Sequence, residues 1–238
     1  MSFEPQPTLA WQFENSNVDS IQGLVPLAQV SPGPAQLQGL ATLITNAPTV
    51  GGEALFLPGP ISSYMDLTSV TPTNFDHTTS NLFVECWIYF TYLTGLGGII
   101  GRGSYVDDIN FNWVFRPNGN VLGINVNGTI VSDSQTLSTG VWIHVAFSYN
   151  IANSTAYTFV NGANGGTGVV GSPAYVSSYP TGIGRTGTAA AQTGYIRDLR
   201  VVRGGVVPTA SFPLVRYPDP FAYTLPSYVS GSGSVVFT

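Results

Sequence analysis

Apolar positions along this chain recur with a period of two. Across 141–149, Val141, Ile143, Val145, Phe147 and Tyr149 fall on one face, with Trp142, His144, Ala146 and Ser148 on the other, which is the alternation of a β-strand. Across 82–90, Leu82, Val84, Cys86, Ile88 and Phe90 oppose Phe83, Glu85, Trp87 and Tyr89. Both faces of that segment are largely apolar, as in a central strand covered on both sides. No window keeps apolar residues at i, i+3, i+4 and i+7 over three turns, so helices are not expected.

Three Asn-Gly dipeptides, at 118, 127 and 161, separate apolar runs. Each predicts a tight hairpin of type I′, because both central residues of that turn need positive φ and Asn-Gly supplies it at least cost. The stretch 111–131 therefore reads as a meander of three strands. Antiparallel hairpins without crossover helices close most naturally as a sandwich or jelly roll. The Pro-, Gly- and Gln-rich stretch 25–48 reads as a long loop.

Composition narrows the class. Of 238 residues, 43% are hydrophobic and 12% aromatic, which excludes a disordered chain, and the abundance of glycine (28) and proline (17) suits many short strands. Only 8% are charged, the seven basic residues are all arginine, and the net charge is −5. So few cations cannot neutralise a run of phosphates, which argues against nucleic acid and anionic membranes. No stretch is long and apolar enough to span a bilayer. The N-terminus shows no basic region followed by an apolar run, so synthesis without signal-peptide export is expected. The single cysteine, Cys86, reads as a buried, unreactive thiol.

The strands at 82–90 and 141–149, the segment 156–162 and the closing phrase 194–204 occur in an order that resembles the concanavalin A-like, laminin-G-like jelly roll, a superfamily of two-sheet antiparallel β-sandwiches. Segments 9–15, 51–57 and 64–67 resemble its early strands. The phrase 201–213 resembles the closing strand and exit loop of versions carried by phage and other viral particles. The resemblance covers about 9–220. It implies one jelly-roll domain over 1–216, followed by an arm over 217–238 whose Tyr217, Phe221, Tyr223 and Tyr228 are candidate contacts with a neighbouring subunit. It also places His144 as a packing histidine.

Candidate chemistry is sparse. A glycosidase needs two carboxylates flanking one bond, and the hydrolase branches of the superfamily carry them alternating on one strand. Here Glu85 is the lone acid of its strand, and a structural ion pair with Arg200 or Arg197 is the expected role. A glycine pattern at 182–187 has no βαβ unit around it to bind a dinucleotide. Two histidines and one cysteine lack zinc spacing. Asp107, Asp108 and Asn110 form a compact oxygen cluster and are the candidate calcium ligands, with solvated loop acids as the competing reading. For glycans, Tyr105, Asn110, Asn112, Trp113, Asn125 and Asn127 supply aromatic and amide groups in and beside the meander. No other cofactor is indicated.

The resemblance and the composition imply a non-enzymatic virion protein, a capsid-decoration, minor-capsid or tail-fibre subunit. Its expected partners are other virion subunits, including copies of itself, and host surface glycans. A free extracellular lectin is the alternative, with a glycoside hydrolase third.

Overall fold

The computed structural model describes residues 9–11, 36–38, 42–44, 48, 54–59, 64–67, 75–93, 97–103, 111–171, 176, 178–185 and 192–214. Among these are fifteen strands: β1 (Leu9–Trp11), β2 (Gln36–Gln38), β3 (Thr42–Ile44), β4 (Ala54–Pro58), β5 (Tyr64–Asp66), β6 (Leu82–Tyr92), β7 (Ile100–Gly103), β8 (Phe111–Asn118), β9 (Val121–Val126), β10 (Thr129–Thr136), β11 (Trp142–Asn150), β12 (Thr155–Val160), β13 (Ala163–Val169), β14 (Thr181–Ile183) and β15 (Thr193–Arg203). They form two sheets. The larger runs β13-β12-β11-β6-β15-β4-β3, with β1 added on β15, and the smaller runs β10-β9-β8-β7-β14-β5-β2. Every pairing is antiparallel. This is the expected two-sheet sandwich.

The period-two pattern fills the space between the sheets. Leu82, Val84, Cys86, Ile88 and Phe90 of β6 meet Ile143, Val145, Phe147 and Tyr149 of β11, and against them pack Trp113, Phe115, Leu122 and Ile124 of the facing sheet. Phe147 sits 5.3 Å from the Trp113 ring and 5.1 Å from Phe115. Val141, read as part of the core face, is instead 49% exposed, because the strand begins one residue later at Trp142.

Two further expectations are corrected. The stretch 25–48 contains β2 and β3, which pair with β5 and β4 at the sheet edges. Unpaired backbone groups along those edges recruit short strands despite the loop-like composition. The meander forms as read, with two Asn-Gly turns in the anticipated conformation: Asn127 and Gly128 have φ of +46° and +87°, Asn161 and Gly162 of +51° and +76°. At the third, Asn118 is still in the ladder opposite Val121. The turn is Gly119-Asn120 with positive φ at Gly119 alone (+68°), the pattern of a II′ turn.

One rim of the sandwich depends on glycine. A bulge between Thr158 and Phe159 interrupts the β12 to β13 ladder, and there β10 of the smaller sheet lies against β13 of the larger. A Cβ on Gly166 would overlap the Ser132 carbonyl oxygen and Thr158 Oγ1, and one on Gly168 would lie 2.8 Å from Val131 Cγ2. Gly166→Ala should therefore lower stability by about 2 kcal/mol, the scale of an overpacked core, since a main-chain carbonyl cannot rotate away. Urea unfolding of the variant checks this; a change under about 0.5 kcal/mol would mean that the edges can part freely.

Candidate functional site

The outer face of the larger sheet carries the chemistry, and half of it is closed. Phe83, Glu85 and Trp87 of β6 point away from the main core, as do His144, Ala146 and Ser148 of β11, and all are buried. The cover is the segment after β15. It starts at Gly204 and Gly205, both with positive φ (+82° and +66°). The Gly204 N–H donates to Asn81 O at 2.8 Å, and Asn81 Nδ2 donates to Gly205 O at 2.7 Å. From there Val207 and Phe212 join Phe83, Ala146, Tyr157, Phe159 and Val202 in a second apolar cluster. Ser148 Oγ donates to Pro208 O, Ser211 Oγ accepts from Asn164 N at 2.9 Å, and Phe212 N donates to Gly162 O at 2.8 Å. Gly162 has no room for a Cβ beside the Phe212 carbonyl.

Beneath this strap lies a charge cluster. Arg200 of β15 stands opposite Glu85 in the ladder, and its guanidinium pairs with Glu85 Oε1. His144 Nε2 lies 3.0 Å from Glu85 Oε2, with Trp87 and Phe212 packed edge-on against the imidazole at 5.5 and 6.1 Å. The pairing expected for Glu85 thus forms with Arg200, while Arg197 Nε donates to Asp198 at 3.2 Å. His144 is the expected packing histidine, and the unprotonated ring donates Nε2–H to the carboxylate. Cys86, on the opposite face of β6, is buried, and burial, with Asp198 adding to it, pushes its thiol well above the ordinary range.

Beyond the strap, aromatic side chains on the same face form a row across four strands. Trp142 of β11 lies opposite Tyr89 of β6, Tyr89 opposite Tyr195 of β15, and Tyr195 opposite Phe56 of β4. Successive ring centroids are 5.8, 5.8 and 4.9 Å apart, the first two contacts edge-to-face and the last stacked. All four are half-buried. Trp142 Nε1 is fixed by the Pro48 carbonyl at 3.1 Å. Tyr92, at the end of β6, is 66% exposed, and Val141 immediately precedes β11. The strand segments were legible in the sequence, but the row was missed. Only the cross-strand register, including a bulge between Arg197 and Arg200, brings these rings to one level.

The residues proposed from the meander are placed differently. Trp113 is fully buried, with its indole N–H on Phe75 O at 2.9 Å, so it offers no stacking face. Asn112 is its neighbour in β8 and therefore points to the opposite side of the sheet. There it holds the main chain of Val176 through two hydrogen bonds of 2.9 Å. Asn125 accepts the Gly128 N–H and caps the hairpin, and Asn127 is an exposed turn residue. Trp113 thus stands apart from the three asparagines, which are neighbours on β8, β9 and their turn, with Asn127 N donating to Asn112 O at 3.3 Å. Tyr105, Asp107, Asp108 and Asn110 lie outside the described residues, as do Tyr217, Phe221, Tyr223 and Tyr228. Among the described residues, no three of His, Cys, Asp and Glu gather as a metal site, and no helix is long and apolar enough to cross a membrane.

Burial lowers the pKa of His144 to about 4, outweighing the pull of Asp198, and does the same to His77, whose neighbour Asp76 opposes it. Both folded values lie below the ordinary 6.5, so the unfolded chain takes up protons that the folded one refuses. Stability should be intact above about pH 6.5, fall by on the order of 1 kcal/mol per pH unit for each histidine, and level off for these groups near pH 4. Denaturant melts across pH 4 to 7 test this, and a flat profile would show that the imidazoles reach solvent.

Residues 62–206, more than half of the chain, match the Laminin_G_3 family model of the concanavalin A-like lectin/glucanases superfamily. No curated protein matches by sequence. Among solved structures, domain 4 of AbnA, an extracellular GH43 arabinanase from Geobacillus stearothermophilus in complex with arabinotriose, is similar at a TM-score of 0.62 and 20% identity, over 87% of this chain and 96% of that one. The binding domain of botulinum neurotoxin serotype G gives 0.56 and 13%, over 85% and 49%. That of Paraclostridial Mosquitocidal Protein 1 gives 0.54 and 12%, over 73% and 44%. This chain spans about half or less of the two toxin domains, and at these identities the likeness is one of fold. By its two-sheet jelly roll and the family match across β5 to β15, the chain belongs to the concanavalin A-like lectin/glucanase superfamily, in its laminin-G-like group.

Proposed function

We propose that this chain is a non-enzymatic carbohydrate-recognition module displayed on a virion surface. The observation that carries the carbohydrate reading is the half-buried aromatic row of Trp142, Tyr89, Tyr195 and Phe56. Tyrosine and tryptophan rings stack on the C–H faces of sugars, and phenolic hydroxyls at their edges serve sugar hydroxyls. The arabinanase domain solved with arabinotriose gives the same reading a precedent on this fold. Binding without catalysis is supported by Glu85, the one acid on β6, β11 or β15 besides Asp198. Its carboxylate is committed to Arg200 and His144 beneath Phe212.

The virion setting rests on the exit phrase 201–213, which resembles that of viral versions of the domain, and on the low charge of the chain. A surface with 8% charged residues and no lysine suits a subunit that packs against copies of itself and other particle proteins better than a free extracellular lectin. Sedimentation of the full chain should give a defined homo-oligomer, whereas a monomer at tens of micromolar would favour the free lectin.

A glycan array probed with the full chain should give saturable binding. Trp142→Ala and Tyr195→Ala should each weaken it about tenfold, the worth of one well-placed ring, while circular dichroism and melting confirm that both variants fold. Binding that survives both substitutions unchanged would remove the row from the site, and an array without signal would overturn the carbohydrate reading.

A further inference from the structure

Resting on that carbohydrate reading, we infer that the ligand is an internal stretch of a linear, uncharged glycan laid across the strands and touching three or more sugar units. Three features of the row point the same way. The first is length. It crosses four adjacent strands in steps of 5.8, 5.8 and 4.9 Å, and an extended chain of sugar rings advances by a similar distance per unit. Each ring of the row can then serve its own sugar.

The second feature is openness. A site for one terminal sugar is a concave pocket in which polar groups converge from several sides. Here four half-buried rings lie side by side along one sheet face, each keeping part of its surface exposed. A chain can therefore enter and leave the row. The third is charge. The row has no ionic group, and the nearest charged pair along β15, Arg197 and Asp198, is joined to itself at 3.2 Å. Among the described residues, acidic sugars would find no counter-charge that is not already engaged. The edge-to-face contacts and the bond from Trp142 to Pro48 O fix the rings before binding, so little rotamer freedom is lost with each added unit.

Calorimetric titration of the full chain with arabino-, xylo-, cello- and malto-oligosaccharides of one to six units tests this. In at least one series the affinity should rise about two- to tenfold per unit up to three or four units and then level off. Phe56→Ala, at the far end of the row, should move the plateau one unit shorter and leave the melting curve near that of the parent. A monosaccharide bound as tightly as its tetramer, or a preference for uronic or sialic acids, would overturn the inference while leaving carbohydrate recognition standing. Failure of every neutral and acidic sugar would bring down the carbohydrate reading itself.

Discussion

The carboxylate of Glu85 sits on the middle strand of the larger sheet, on the face turned away from the main core, and the organisation of that face follows from it. A buried carboxylate is costly unless it is paired and hydrogen-bonded. Arg200 and His144 meet it from the two flanking strands, which ties β15, β6 and β11 together by side chains as well as by the ladder. Such a cluster stays dry only under a lid. Phe212 and Val207 supply one by folding the chain back over the sheet after Gly204 and Gly205. The segment leaving the last strand is therefore part of the fold.

The same arrangement sets off the other half of the face, which is aromatic and half-buried. Beyond Gly162, where Phe212 N is tied down, the outward side chains of β11, β6, β15 and β4 are Trp142, Tyr89, Tyr195 and Phe56. The rings cover one another edge to face, which gives partial burial without a strap. Each still presents area to solvent. Rigid aromatic surface next to a locked, charge-neutral core suits binding with little reorganisation.

Much of this was written in the sequence, though unevenly. The alternation in β6 and β11 gave the strands and their core faces, and the Asn-Gly pairs gave the hairpins. Glu85 and Arg200 could be paired because both occupy outward positions of neighbouring strands. The proposed binding row could not be read the same way. Asn112 and Trp113 are adjacent, so a strand must send them to opposite sides, and the tryptophan went to the core. The row depends on register among four strands separated by up to 140 positions in sequence, and on a bulge in β15 at Asp198, a non-glycine residue with φ of +50°. No single segment carries that information. The burial of His144, Ala146 and Ser148 was likewise hidden, since it comes from a strap about sixty residues downstream.

The central claim is that ligand contacts the outer row and leaves the interior of the sandwich untouched, and the four tryptophans of the chain offer a direct reporter. Fluorine NMR of protein labelled with 5-fluorotryptophan, with resonances assigned by single Trp→Phe substitutions, would follow Trp142 and Trp113 during titration with a binding oligosaccharide. The Trp142 resonance should shift with saturation while that of Trp113, sealed between the sheets, stays in place. Movement of Trp113 with Trp142 unchanged would contradict this account and put the site on the meander side.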